Sequence, residues 1–168
     1  EEEFGWEPFG PAMYVRMNGA VDSAGRIVRW QQGHYTNRHV CRPGRHPNPG
    51  LLAAWHFDQG HEPPPTIDLP LSSGGASQRN AVPGYRFPNH RVVNHTLQTM
   101  PIRVSTLRAL GAYINVFAIE SFMDDLAAAA GVDALEFRLR HLQDARGRAV
   151  LEAVAEQAGW NARSRADR

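Results

Sequence analysis

The strongest periodic pattern in the chain runs from Ala112 to Ala130, a stretch without proline or glycine in which Val116, Ile119, Met123, Leu126 and Ala130 recur at three- and four-residue steps. That spacing predicts a helix with one core-facing stripe. Ile114, Phe117 and Phe122 fall off the stripe, so the first half is apolar nearly all round and belongs inside a larger body. Glu120 is the carboxylate in that apolar half, and a buried carboxylate requires a partner. Ahead of the helix, Met13, Val15 and Met17 alternate with Tyr14, Arg16 and Asn18, and Ile27 alternates with Val28 and Trp30 on the opposite face. These alternations predict strands over Ala12–Val21 and Arg26–Thr36, joined through Asp22-Ser23-Ala24-Gly25, with the glycine supplying a positive φ. A further strand is expected over Phe87–Leu97.

After Gly131, Asp133 and Glu136 form a capping-box-like pair opening a second helix, with Leu135, Leu139 and Leu142 on one face. A third helix is expected from Arg148 to Ala158, carrying Val150, Leu151 and Val154 and stopping at Gly159. The expected class is therefore α+β: an antiparallel hairpin or small sheet, a long irregular loop, and a C-terminal helical segment. The divisions are 1–37 for the hairpin region, 38–83 for the loop, 84–130 for a strand, a turn and the long helix, 131–160 for the helical pair and 161–168 for a polar tail.

In the loop the prolines and glycines are frequent, and Glu62-Pro63-Pro64-Pro65 prevents helix or ladder locally, leaving one short helix at Leu51–Phe57. A connection of that length suggests a functional loop or an arm on a larger body. Arg38, His39, Arg42, Arg45 and His46 cluster there, but no nucleic-acid motif surrounds them, and a solvated face or subunit contact is the simpler reading. His34, His39, His46, His56 and His61 fall in no metal-ligand spacing and read as polar loop histidines, so no metal ligand is assigned. Arg138, Arg140, Arg146 and Arg148 read as solvent-facing.

Composition adds constraints. All 18 basic side chains are arginines, set against 17 acidic ones, and the net charge of +1 makes no electrostatic case for nucleic acid or an anionic membrane. The single Cys41 excludes an internal disulfide and makes a cysteine-ligated metal site implausible. No apolar run reaches the length of a membrane span. Neither Cys41 nor the first residues assign a compartment.

The candidate chemistry lies just before the long helix, in Thr106-Leu107-Arg108-Ala109-Leu110-Gly111-Ala112. An arginine and a glycine at the mouth of a helix make an anion site, since free backbone N–H groups and the positive end of the helix dipole point the same way. The same residues also read simply as a cap, with Arg108 and Glu120 pairing locally. Arg79, after Gly74-Gly75, reads on its own as a surface charge beside a flexible turn.

That segment, continued through Glu120-Ser121-Phe122-Met123-Asp124-Asp125-Leu126-Ala127, resembles the molybdenum-binding subunit of the xanthine dehydrogenase and aldehyde oxidoreductase family, and most closely its isoquinoline and nicotinate oxidoreductase branch. Phe87-Pro88-Asn89 before the turn and Gly131-Val132-Asp133-Ala134-Leu135-Glu136-Phe137-Arg138 after it fit as well, and the likeness extends from Trp6 to Trp160. The chain departs from the family's eukaryotic pattern in carrying Leu110 where an aromatic would stack on a flat heterocycle, which puts purine-like substrates in doubt.

The resemblance implies that the parent protein hydroxylates an aldehyde or N-heterocycle with water-derived oxygen at a molybdenum–pyranopterin cofactor, with molybdopterin cytosine dinucleotide as its expected form. It implies that Arg108, Ala109, Leu110, Gly111 and Ala112 cradle part of that cofactor, and that Arg79 faces the substrate and stabilises developing negative charge. Iron–sulfur clusters on a partner subunit would take the electrons. The family's Gly-Glu-Pro-type motif, which carries the general base, is absent, since Glu-Pro occurs only at Glu7-Pro8 and Glu62-Pro63. So is its Gly-x-Phe-Gly loop. The expectation is a piece of a polypeptide several times this length, inactive alone. The alternative is a non-catalytic interaction domain derived from that family.

Overall fold

The computed structural model describes residues 9–39, 68–99, 104 and 107–160. Its elements in chain order are β1 (Met13–Val21), β2 (Ile27–Asn37), a single 3-10 turn at Leu71–Ser73, β3 (His90–Leu97), α1 (Ala112–Ala130), α2 (Ala134–His141) and α3 (Ala145–Gln157). The strands form one sheet in the order β1-β2-β3, so the class is α+β, with a small sheet and three helices. The expected short helix at Leu51–Phe57, and Cys41, His46, His56 and His61, lie outside the described residues.

The chain divides into two compact units, one of Glu1–Arg16, Gln32–Val82 and Val92–Ala118, the other of Met17–Gln31, Pro83–Arg91 and Ile119–Arg168. The three strands and α1 each contribute to both.

The second unit holds the apolar core. Ile27, Trp30, Phe87, Ile119, Met123, Leu126, Ala127 and Phe137 are buried together. Trp30 stacks on Phe87, with ring centroids 5.1 Å apart, and meets Phe122 edge-on at 5.0 Å. The Phe87-Pro88-Asn89 segment is tied to β2 by main-chain and side-chain bonds, since Trp30 N–H donates to the Asn89 carbonyl (2.9 Å) and Asn89 Nδ2 donates to the Val28 carbonyl (3.1 Å). β3 accordingly begins at His90, three residues after the expected start.

β1 keeps the expected alternation, but β2 does not. Val28 and Arg29 are exposed in succession, so the pattern slips by one residue and brings Trp30 to the buried side with Ile27, opposite to the sequence expectation. The hairpin turn follows the sequence: Gly25 has φ +69°, and Asp22 Oδ1 accepts from the N–H groups of Ala24 and Arg26.

α2 is capped by Asp133, whose side chain accepts from the N–H groups of Leu135 and Glu136. Glu136 does not complete a capping box, because its carboxylate is held by Arg140 at 2.5 Å. The buried residues of α2 are Phe137 and His141, with the leucine stripe only half-buried. His141 joins this helix to the sheet: Nδ1 donates to the Phe137 carbonyl (2.8 Å), which leaves Nε2 to accept from Ile27 N–H (3.0 Å). Asp144 caps α3 through Gly147 N–H, and the helix therefore starts at Ala145, three residues before the expected Arg148.

Arg138 departs from the solvent-facing expectation, whereas Arg140 and Arg146 are exposed. The Arg138 side chain is only 13% exposed, and it donates from Nε to Glu120 (2.9 Å) and from Nη1 to Asp124 (2.6 Å). Tyr85 Oη donates to the same Glu120 carboxylate at 2.9–3.0 Å. The carboxylate for which the sequence requires a partner is thus held by a cation and a phenol.

Candidate functional site

The first unit carries a different interior, made of polar side chains. Gln32, His34, Thr36, Asn37, His39, Ser77 and Asn115 are all buried. Such groups are stabilised inside a protein by hydrogen bonds, and those of Ser77 and Asn115 converge on the loop at 74–81.

Ser77 is the focus of that loop. Its N–H donates to Asp68 Oδ1 at 3.0 Å, its hydroxyl donates to Asp68 Oδ2, and Asn94 Nδ2 donates to its Oγ at 2.9 Å. Asn115, one turn into α1, donates from Nδ2 to the carbonyls of both Ser77 and Arg79, each at 2.9 Å. Gly111 N–H donates to the Ala76 carbonyl at 3.0 Å. The loop bearing Arg79 and the turn bearing Arg108, far apart in sequence, are thereby stapled together through backbone.

The turn itself is tightly wound. Leu110 N–H closes on the Leu107 carbonyl and Ala112 N–H on the Ala109 carbonyl, both at 3.0 Å. Ala109 and Leu110 sit at φ +75° and +55°, left-handed values that non-glycine residues rarely hold. Backbone strain of this kind persists where the surroundings over-determine it, and here the Asn115 and Gly111 bonds do so. These bonds revise one expectation. The N–H groups of Leu110, Gly111 and Ala112 are already used within the chain and are not free to meet an anion.

Arg108 stands on this turn with its side chain exposed and without an ion pair among the described residues. It borders a cavity of about 500 Å³ whose wall is formed by Gly10–Met13, by Leu107, Leu110, Tyr113 and Ile114, and by His39. That volume lies within the range of small-molecule sites. An exposed guanidinium, a buried histidine and apolar walls of Met13, Leu110 and Ile114 make a set that can take a small ligand carrying an anionic group. Arg79 is placed otherwise. Its loop touches the turn, but its Nε donates to the Gly74 carbonyl (2.9 Å), and it does not line this cavity.

The two described histidines of the expected loop set are not solvated. His34 lies within β2, fully buried, with the Gln32 amide nitrogen 2.7 Å from its Nε2. His39 is 2% exposed, with Nε2 3.3 Å from Thr36 Oγ1. Burial pushes both imidazoles below their ordinary pKa, opposed for His34 by the neighbouring Asn115 amide and for His39 by the Asp68 carboxylate. Among the described residues no group of three or more His, Cys, Asp or Glu side chains is arranged to hold a metal ion. Sequence reasoning misses Asn115, Ser77 and Asp68; a lone asparagine inside an apolar helix is the available signal.

Residues 51–142 match the family model described as the molybdopterin cofactor-binding domain. Over 166 residues, 98% of the chain, the sequence is 32% identical to a nicotinate dehydrogenase subunit of Pseudomonas putida. Over 64 residues, 38% of the chain, it is 39% identical to the beta subunit of isoquinoline 1-oxidoreductase of Brevundimonas diminuta. The matched segments span 13% and 8% of those two proteins.

Proposed function

The chain belongs to the family of molybdopterin cofactor-binding domains, part of an oxidoreductase, and from that premise we propose that it is a segment of the molybdenum subunit of a hydroxylase acting on an aldehyde or an N-heterocycle. The observation that carries the reading is Arg108, unpaired among the described residues and on the wall of a ligand-sized cavity, within the residues the family model matches. A guanidinium in that position offers a forked set of donors to a phosphate-type group. Ala109, Leu110, Gly111 and Ala112 contribute shape: their internal bonds fix the turn, Leu110 walls the cavity, and Gly111 lets the turn lie against the Ala76–Ser77 backbone.

When bound, a molybdenum–pyranopterin group supplies the redox chemistry, with oxygen taken from water. The cytosine dinucleotide form is the one we assign. The staple keeps the Arg79 backbone beside the turn, and we assign its guanidinium, which here donates to the Gly74 carbonyl, to an oxyanion developing on the substrate once substrate is bound. The general-base glutamate and the metal-facing glycine-rich loop belong to the remainder of the subunit, and iron–sulfur clusters on a partner subunit carry the electrons away. A nicotinate- or isoquinoline-like heterocycle is the substrate class that the relatives' names suggest.

The test is Arg108→Ala in the full-length molybdenum subunit. Loss of the charged contact lowers the molybdenum and pterin content of the purified enzyme by about tenfold or more, the effect of losing a charge-assisted bond. An unchanged cofactor content overturns the assignment.

A further inference from the structure

We propose that the outer face at the start of α1, formed by Tyr113, Val116 and Phe117 with Leu107 from the turn before it, is covered by an apolar segment of the same polypeptide lying outside these 168 residues. This rests on the reading of the chain as part of a longer molybdenum subunit.

The face is large and apolar. Tyr113 is 71% exposed and Phe117 68%, and Val116 and Leu107 are exposed beside them. Positions 113, 116 and 117 share one side of the helix through its three- and four-residue repeat. The other side is already occupied: Gly111 and Asn115, four residues apart, are bonded to Ala76 and Ser77 in the interior of the first unit. Exposed apolar patches of this kind mark interaction sites. Their composition says which sort. From 107 to 118 the only charged side chain is Arg108, and the patch carries two aromatic rings. Absence of charge with aromatic enrichment is the chemistry of a lasting interface core, not of a transient encounter.

Charge and length select the occupant. A second copy of this chain, related by a two-fold axis, would bring the same surface and so a second Arg108, with no acidic side chain in 107–118 to receive either cation. An apolar segment of the parent polypeptide carries no such cost. The subunit of the Pseudomonas putida relative contains far more chain than is matched here: the alignment takes in 98% of this sequence but only 13% of that protein. Most of such a subunit therefore lies outside these residues and is available to pack on them. The patch is also continuous with the cavity beside Arg108, since Leu107 and Tyr113 belong to both. The segment that covers the face thus borders the cavity as well and helps to exclude water from it.

The experiment places the photo-cross-linking residue p-benzoylphenylalanine at position 117 of the full-length molybdenum subunit and maps the peptide it captures. Capture of a peptide of the same polypeptide from outside these 168 residues is the expected result. Capture of a second copy, of a partner subunit or of a peptide within these residues overturns the proposal, and so does no capture at all. Hydroxyl-radical oxidation of the unsubstituted subunit needs no replacement: oxidation at Tyr113 and Phe117 should rise several-fold on unfolding in urea, and an unchanged rate overturns the proposal. Point variants give a third readout. An exposed position with nothing over it tolerates a charge. Phe117→Leu should keep the pterin and molybdenum content, whereas Phe117→Asp, by placing a carboxylate in an apolar contact, should lower both by about tenfold or more. Wild-type content and melting temperature in Phe117→Asp overturn the proposal. If Arg108→Ala keeps its cofactor while position 117 captures its own polypeptide, the cavity reading fails and the covered face stands; if Arg108→Ala loses it and the capture fails, the covered face alone is excluded.

Discussion

Gly111 lies so close to Ser77 that a Cβ built on it would stand 2.0 Å from the Ser77 carbonyl oxygen. No side chain fits at that distance, and the obstacle is backbone held by Asp68, Asn94 and Asn115, so it cannot step aside. The glycine is required here by close approach. Gly111→Ala should therefore cost at least the ~3 kcal/mol that marks the upper part of ordinary overpacking. The displaced turn should also release its cofactor. Melting temperature and pterin content of the full-length variant check both; a variant with wild-type values in each would show that the staple is not needed.

Asn115 makes the second half of the same staple. Its Nδ2 satisfies two carbonyls, at Ser77 and Arg79, and Asn115→Leu leaves both without that donor in a buried setting. Each such loss costs about 1–3 kcal/mol, and the two share one origin, so a total of about 2–4 kcal/mol is expected. Hydrogen exchange should rise at 76–79 in the first unit while the Trp30–Phe87 core of the second remains protected. Equal loss of protection in both would refute a local role.

How far the sequence reaches depends on range. α1 is legible to the residue, because Ala112–Ala130 contains no breaker and Gly131 ends it. The stripe holds at Ile119, Met123 and Leu126 and fails at Val116, which is exposed beside Tyr113 and Phe117. Strict alternation puts Trp30 on the wrong face because it cannot foresee the slip at Val28–Arg29. Asp144 as the cap of α3 is readable from residue type alone. Asn115 is not, since its meaning lies with carbonyls 36 and 38 positions away. The turn at 107–112 is found by motif, but its occupied N–H groups and the buried state of His39 are products of tertiary contacts.

Tyr85 and Glu120 offer a test of the second unit. Tyr85→Phe removes a hydroxyl that donates to both carboxylate oxygens, leaving Arg138 to hold the carboxylate. A bond to a charged acceptor makes the cost about 1.5–3 kcal/mol in the unfolding free energy. Burial, with Glu120 beside it, raises the Tyr85 phenol well above its ordinary value of 10.0. The folded state thus favours the protonated phenol, and its contribution is complete below pH 10 and is lost as pH rises beyond it. Denaturant midpoints across pH 8–11 should fall more steeply for wild type than for Tyr85→Phe; parallel curves would contradict this.

His34 gives the opposite limb of the pH profile. Its pKa is lowered from the ordinary 6.5, chiefly by burial, so the unfolded chain binds the proton more readily than the folded one. Stability from the neutral ring is therefore fully present above about pH 6.5 and declines as pH falls through that value toward the folded pKa. Charging the ring would also disrupt the contact at Nε2, where the Gln32 amide nitrogen stands 2.7 Å away and requires a lone pair. His34→Gln removes the titrating group while keeping a polar side chain among Gln32, Thr36 and Asn115. Denaturant midpoints measured from pH 7.5 down to pH 5 should drop for wild type and drop less for His34→Gln. Should the two lines remain parallel over that window, the acid sensitivity of the first unit would have to come from another group, and His39, shifted in the same direction, is the next to replace.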